Sequence, residues 1–293
     1  MTPIPIGESE LIITPNNTIY HLDLHPDQLA DTIITVGDPD RVGAVSKYFD
    51  HIEHRAQHRE FVTHTGTIGA KRISVVSTGI GPDNIDIVLN ELDALANIDF
   101  STRTIREEKR SLQIIRLGTS GSLQADIPVD SFVASSFAIG LDNLLHYYQY
   151  SNNPEESFIL SAFREHTALN GKAIVPYIAE GAINLRNHFS DQYHTGITVT
   201  CPGFYGPQGR VLRGPIAFPN LIDALGTFSS RGERITNFEM ETSAIYGLGN
   251  LLGHHCLSIS AIVANRVHKT FSADGAAAVD HMIRQSLAII EKI

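Results

Sequence analysis

Residues 32–42 read TIITVGDPDRV. An apolar, mostly β-branched run meets a glycine and then an Asp-Pro-Asp step. β-Branched side chains suit a pleated, buried surface. Glycine allows the chain to turn tightly and lets a ligand approach the backbone. Proline, with its fixed φ and missing N–H, fits the first position of a helix. Arg41 then falls in the first turn of that helix. The segment therefore reads as strand, short turn and helix, which is the building step of an α/β fold.

The same grammar extends along the chain. RISVVS at 72–77, LQIIRL at 112–117, SFVASSFAI at 131–139, GITVT at 196–200 and CLSISAIVA at 256–264 read as further strands. NIDIVLNELDALAN at 84–97, EGAINLRNHF at 180–189 and AAAVDHMIRQSLAIIEKI at 276–293 carry apolar residues at helical spacing. This alternation predicts one domain over residues 1–293. Its expected form is a three-layer sandwich, with helices covering a mixed, mostly parallel central sheet. Residues 1–19, too rich in proline for a helix, read as an N-terminal arm. Residues 99–111, with the charge-dense STRTIREEKR at 101–110, read as an exposed excursion between a helix and a strand.

Composition narrows the class. A chain of 293 residues can bury a large core. No run of about 18 apolar residues is present, so no membrane-spanning helix and no membrane partner are expected. The N-terminus lacks the basic and apolar regions of a secretory signal. Cys201 and Cys256 are the only cysteines, too few for a disulfide framework or a cysteine-rich zinc module. A cytoplasmic protein is the expectation. The formal net charge is −10, without a basic run to track a phosphate backbone, so no nucleic-acid partner is expected. A small anion remains open, because local arginines bind one inside an acidic protein. Sixteen of the 22 basic residues are arginine, whose planar fork suits phosphate and carboxylate. The fourteen histidines show no metal-binding spacing such as HExxH, and no metal is expected.

Four segments carry candidate chemistry. In VGDPDRV at 36–42, the Gly37 backbone, a helix N-terminus and Arg41 together suit an anion; a plain turn with a surface arginine is the alternative. In IRLGTSGSL at 115–123, Arg116 precedes Gly118, Thr119, Ser120 and Gly121, a small-residue loop rich in donors that could cradle an oxyanion or merely be a tight turn. It lacks the P-loop lysine pattern and does not match GxGxxG, so neither ATP nor a dinucleotide is indicated. In GFYGPQGR at 203–210, Phe204, Gln208 and Arg210 offer a ring, an amide and a guanidinium. That set fits a flat heterocycle with alternating carbonyl and N–H edges, such as uracil, though a solvated turn could also hold it. In NFEMETSAIYGL at 237–248, Glu239 and Glu241 flank Met240 before an apolar helix, where a carboxylate could accept from a vicinal diol or simply complement the helix dipole.

The sequence resembles the nucleoside phosphorylase family with dimeric or hexameric α/β subunits, and within it the members that act on uridine. The resemblance runs from YHLDL at 20–24 to ANRV at 264–267. It is carried by GDPDRV, QHREF at 57–61, STGIG at 77–81, RLGTSG at 116–121, GFYGPQGR and FEMETSA at 238–244. It implies a nucleoside phosphorylase fold and phosphorolysis of uridine, with deoxyuridine a further candidate, in pyrimidine salvage. Inorganic phosphate would be co-substrate, and no organic cofactor would be needed. Phosphate would be held by Gly37, Arg41, Arg116 and Thr119, with Arg59 reaching in from a neighbouring subunit. Met240 and Glu241 would hold the ribose 2′- and 3′-hydroxyls with Glu239 nearby, and His21 of the neighbour would contact the 5′-hydroxyl. Gln208 and Arg210 would hold the uracil edge with Phe204 against the ring. Arg41, Arg116, Thr119, Gln208, Arg210 and Glu241 would thus be the catalytic set. The assembly implied is a dimer, or a hexamer built as a trimer of dimers.

Rivals and departures accompany this expectation. Purine-specific relatives usually carry an aspartate after the late strand, whereas this chain reads VANRV at 263–267. That favours a pyrimidine over the purine rival. The three arginines disfavour a nucleosidase, which has no phosphate to hold, and the full substrate set disfavours a non-catalytic nucleoside-binding protein. STGIG continues as PDNID, so Asn84 stands where some relatives place a serine that helps hold a potassium ion between subunits.

Overall fold

The computed structural model describes residues 4–169, 172–189 and 191–293; the first three residues of the expected N-terminal arm lie outside the described residues. Ten strands matter for the site. They are β1 (Thr32–Val36), β2 (His51–His58), β3 (Phe61–Ile68), β4 (Lys71–Ser77), β5 (Gln113–Ser122), β6 (Phe132–Gly140), β7 (Tyr177–Glu180), β8 (His194–Thr200), β9 (Glu233–Glu239) and β10 (His255–Asn265). The helices are α1 (Pro39–Ser46), α2 (Pro82–Asn97), α3 (Pro154–His166), α4 (Ile183–Arg186), α5 (Leu221–Thr227), α6 (Thr242–Leu252) and α7 (Gly275–Ile290).

The main sheet runs β9-β8-β6-β10-β5-β1-β4-β3-β2. Its centre is parallel, through the pairs β1–β4, β1–β5, β5–β10, β6–β8 and β8–β9. The β2–β3–β4 edge and the β6–β10 pair run antiparallel. The sheet is mixed, as expected, and it also curls back on itself: β9 pairs with β5 through Asn237 opposite Ser122 and Phe238 opposite Gly121. That closure carries the segment after β9 to the end of β5.

Alternation along the strands explains the layers, since successive side chains point to opposite faces. Ile33 and Ile114 join a core with Ile85, Val88 and Leu92 of α2 and Ile245 of α6. Ile34, Val36, Ile115 and Leu117 join a second core with Val42 and Val45 of α1 and Met282 and Ile283 of α7. Helices therefore cover both faces. A third core binds β6, β8 and β9 to α3 and α5, with Phe163 and Phe228 at its heart.

Two sequence expectations need correction. The small-residue stretch Gly118–Gly121 is no loop; it continues β5 as far as Ser122. Of EGAINLRNHF, only Ile183–Arg186 is α-helical. The 99–111 excursion is mostly exposed from Ser101 to Ser111, as expected, and Ile98–Asp99 and Thr104–Ile105 pair at its start as a short antiparallel ribbon.

Tyr246 of α6 is fully buried and finishes a ladder that the β6–β10 pair leaves incomplete. Its hydroxyl donates to the Ser135 carbonyl at 2.8 Å and accepts from the Ser258 N–H at 2.9 Å. Tyr246→Phe strands both groups in a dry core. An unsatisfied buried group costs about 1–3 kcal/mol, so urea unfolding should show a loss of that order; an unchanged midpoint and slope would mean that the hydroxyl bonds contribute nothing net.

Candidate active site

A pocket of about 540 Å³ opens where β1, β5 and β9 end. Seven stretches of chain, spread from Gly37 to Phe271, build it, as expected at the carboxyl ends of strands in an α/β sheet. Ten of the twelve candidate residues contribute to its wall: Gly37, Arg41, Arg116, Thr119, Phe204, Gln208, Arg210, Glu239, Met240 and Glu241.

At one end lie the arginines and glutamates. Arg116 projects from β5 and is almost fully buried. Its Nη2 is 2.5 Å from Glu241 Oε2 and 3.1 Å from Glu239 Oε2. Burial opposes the charge on this guanidinium, but the two carboxylates outweigh it and hold Arg116 above the ordinary arginine range. Gly118 is what makes the arrangement possible. A Cβ there would stand 1.9 Å from Arg116 Nη1. The small residues of RLGTSG thus clear space for a guanidinium within a strand, not for a turn.

The two carboxylates differ in what they have left to offer. Glu239 accepts from the N–H groups of Glu241 and Thr242 and from the Thr200 hydroxyl, besides facing Arg116. A carboxylate has about four acceptor positions, so Glu239 is saturated. Glu241 has two partners, the Gly81 N–H at 2.9 Å and Arg116. It keeps spare acceptor capacity at the pocket wall. Gly81 reaches it with φ at +102°, a conformation that favours glycine, at the N-cap of α2. Burial pushes the Glu241 carboxyl above the usual range, with Arg116 pulling the other way.

Arg41 sits in the first turn of α1, which Asp38 caps by accepting from the Asp40 N–H. Burial, and then the nearby Arg116, lower the Arg41 guanidinium below its usual range. Among the described residues its Nη1 reaches only the Leu117 carbonyl, at 3.4 Å, so most of its five donors remain open there.

The other end is aromatic and amide-bearing. Arg210 stacks over Phe204, its Cζ 3.8 Å from the ring centroid, and Nη1 donates to Gln208 Oε1 at 2.5 Å. The buried Gln208 is thereby oriented with its carbonyl spoken for and its NH₂ free to donate. Phe238 adds a second ring, near Arg210 and Arg266. Burial and then Arg266 lower the Arg210 guanidinium. Phe238 and Ile80 were overlooked as wall residues, although both lie inside quoted motifs, FEMETSA and STGIG. Phe271, an exposed ring at the pocket mouth, had no sequence signal at all. Among the described residues no group of three or more His, Cys, Asp or Glu side chains is arranged to hold a metal.

His21 and Arg59 are not part of this wall. They form a patch of their own. Arg59 occupies the β2–β3 turn with φ at +55°, and its Cζ lies 6.0 Å from the centroid of the Tyr20 ring.

The family model described as the phosphorylase superfamily matches residues 31–292. A uridine phosphorylase of Thermococcus kodakarensis is 32% identical over 87% of this chain and 80% of its own length. One from Haemophilus influenzae is 27% identical over 86% of this chain and 88% of its own. The crystal structure of a Trypanosoma brucei nucleoside phosphorylase, described as showing uridine phosphorylase activity, superposes with a TM-score of 0.88 at 33% identity, covering 96% of this chain and 98% of that one.

Removing Arg116 would leave Glu239 and Glu241 buried without their cation. Breaking a buried pair in this way costs about 3–5 kcal/mol. Burial already raises the Glu241 carboxyl and Arg116 pulls it down, so without the arginine that carboxyl should titrate higher still in the fold than in the unfolded chain, where glutamate titrates near 4.3. The fold of Arg116→Ala then binds more protons than its unfolded state, and it should lose stability as pH rises above that value. Urea unfolding at pH 5 and pH 8 should therefore show a larger deficit at pH 8. A deficit independent of pH would contradict the buried-charge account.

Proposed function

The chain belongs to the phosphorylase superfamily, and we propose that its pocket carries out the phosphorolysis of uridine to uracil and ribose 1-phosphate. The observation that carries this reading is the sequence of chemistries along one pocket wall. Open arginine donors lie at one end, an acid with spare acceptors in the middle, and a stacked guanidinium and amide at the other.

In this reading Arg41, Thr119, Arg116 and the Gly37 backbone hold phosphate. Glu241 and the Met240 backbone hold the ribose diol, while Glu239 keeps Arg116 and the Met240–Thr242 backbone in place. A phosphate oxygen attacks C1′ as the C1′–N1 bond breaks, and the bonding pair leaves with uracil, which then takes a proton. The transition state resembles an oxocarbenium ion. Phosphate beside C1′ serves as nucleophile and counter-charge, and prior positioning supplies much of the acceleration. Arg210 and the Gln208 NH₂ stabilise negative charge developing on the departing base; such contacts accelerate the step because they strengthen on the way to the transition state.

The VANRV segment at 263–267, the region where purine-specific relatives usually carry an acid, supports the pyrimidine assignment, and Asn265 is its one side chain of carboxamide type. Its Nδ2 donates to the carbonyls of Gln124 and Ile127, and its Oδ1 accepts from the N–H groups of Val267 and His268. It is a strut for the chain and presents no acid to a base. Deoxyuridine shares every base contact invoked here and is a second substrate on this reading. Both cysteines are buried and unbonded, in keeping with a cytoplasmic enzyme.

Uracil release from uridine should require inorganic phosphate, and Arg41→Ala should raise the phosphate KM at least ten-fold, because charge-assisted contacts are the strong ones. Inosine should be a far poorer substrate, since a mismatched polar edge costs about 1–3 kcal/mol per unpaired group. Equal uracil release in phosphate-free buffer would mean a hydrolase, and comparable kcat/KM for inosine would reject the pyrimidine assignment.

We infer further that the active unit is a dimer, in which His21 and Arg59 complete the neighbour's pocket across a two-fold axis. Mixing Arg59→Ala with Arg116→Ala subunits tests this. A mixed dimer holds one doubly defective site and one intact site, so re-association should restore up to about a quarter of normal activity. If exchange of subunits is verified and activity stays at the level of the separate variants, Arg59 does not act in trans.

A further inference from the structure

Glu91, on the face of α2 that meets the N-terminal segment, has no role in the chemistry above, yet it grips His21. Its carboxylate accepts the backbone N–H groups of His21, at 3.0 Å, and Leu22, at 2.9 Å. It also faces His21 Nδ1 at 2.7 Å. An ionised carboxylate only accepts, so the hydrogen of that contact sits on Nδ1. In the neutral imidazole the other nitrogen, Nε2, is then an acceptor. Among the described residues no group bonds Nε2. Two rings confine the imidazole edge-on, Tyr20 at 4.8 Å and Phe61 at 6.1 Å between centroids. His58 Nδ1, 3.3 Å from the His21 carbonyl oxygen, ties the same segment to the hairpin that carries Arg59.

We propose that Glu91 is the positioning residue for His21. It fixes the ring and its tautomer so that Nε2 is presented as an acceptor to the 5′-hydroxyl of a nucleoside in the neighbouring subunit's pocket. The proposal rests on the reading of His21 as a residue that acts in trans. The arrangement separates two jobs that one residue could not do. A histidine on a short, irregular segment has the reach to cross an interface, but such segments hold side chains loosely. A carboxylate on a sixteen-residue helix supplies the rigidity. Three bonds to one carboxylate fix the backbone on both sides of the ring and the ring itself, so the direction of Nε2 follows from the position of α2.

The test compares uridine with 5′-deoxyuridine, which lacks the hydroxyl. The ratio of their kcat/KM values is read, because it does not depend on what fraction of a preparation is folded. His21→Ala should lower the ratio about ten-fold, in line with one hydrogen bond to a substrate hydroxyl. Glu91→Ala should lower it by a similar factor and leave kcat/KM for 5′-deoxyuridine within about two-fold of the unaltered protein. The double variant should be no worse than His21→Ala alone, as expected of two residues acting through one contact. Glu91→Gln keeps an oxygen for the backbone N–H groups and should show a smaller loss, about three-fold. If His21→Ala lowers the ratio and neither Glu91 variant does, the positioning role is wrong and the trans reading stands. If His21→Ala itself leaves the ratio unchanged, the trans reading falls and the proposal with it. An equal loss for both nucleosides in Glu91→Ala would reduce Glu91 to a structural anchor.

Discussion

A guanidinium buried between two carboxylates is expensive to assemble and hard to move, and the architecture around Arg116 follows from that fact. Taking three charges out of water is tolerable only with close geometry and with hydrogen bonds to the remaining acceptors. Each requirement is met by a different part of the chain. Gly118 clears the space within β5. The antiparallel contact between β9 and β5 brings Glu239 and Glu241 to that strand. The turn before α2 supplies the Gly81 N–H, and β8 supplies the Thr200 hydroxyl. Pulling any of these away leaves a charge exposed to an apolar core. The sheet has to close as it does for Arg116 to be satisfied.

That constraint also assigns different work to two acids that look alike. Glu239, with its acceptor positions filled, can neither take up a ligand hydroxyl nor turn toward one without stranding backbone donors. Glu241 sits at the same wall with fewer partners and a carboxyl raised by burial. The difference is invisible in the string FEMETSA, where both are acids one residue away from a methionine. It appears only when the helix start at Thr242 and the hydroxyl of Thr200 are in place.

What could be read beforehand follows the range of the interactions. The step from β1 to α1 is local, governed by β-branched residues, a glycine and a proline within eleven residues, and it was readable to the residue. The two-sided covering of the sheet was readable from apolar strands alternating with amphipathic helices. RLGTSG was misread because small residues in a turn and small residues beside a large buried side chain look the same in sequence. The β2–β3 hairpin was not recognised as strands, since the half-buried face of HIEHRAQH carries only Ile52 and Ala56 as apolar residues beside His54 and His58, too weak an alternation against its exposed His51, Glu53, Arg55 and Gln57. In EGAINLRNHF helical spacing extends past the four residues that form the helix; the chain then passes through turns toward Phe189, whose ring packs on Tyr193. Glu91 carried no signal, because an acid within an amphipathic helix is the ordinary composition of a solvated face.

Charge at the anionic end of the pocket gives a separate reason to look beyond one subunit. Arg41 and Arg116 contribute two positive charges, and Glu239 and Glu241 cancel them. Asp38 at the same wall adds a further negative charge. If phosphate binds here as proposed, a dianion would meet oriented donors, the open N–H groups of Arg41 and those of Arg116 not committed to carboxylates, but no surplus of positive charge. Donors without net charge hold an anion poorly where water is scarce, since the energy lost on dehydration has to be returned by charge as well as by direction. Arg59, exposed on a tight turn and steadied only by the face of Tyr20, has its charge uncommitted to any carboxylate among the described residues. On the proposed reading, one such arginine from a second subunit would offset the extra negative charge of Asp38 and bring these groups to neutrality. Phosphate affinity would then depend on assembly, which gives the irregular N-terminal segment and the polar hairpin a reason to be held together so firmly in a single chain.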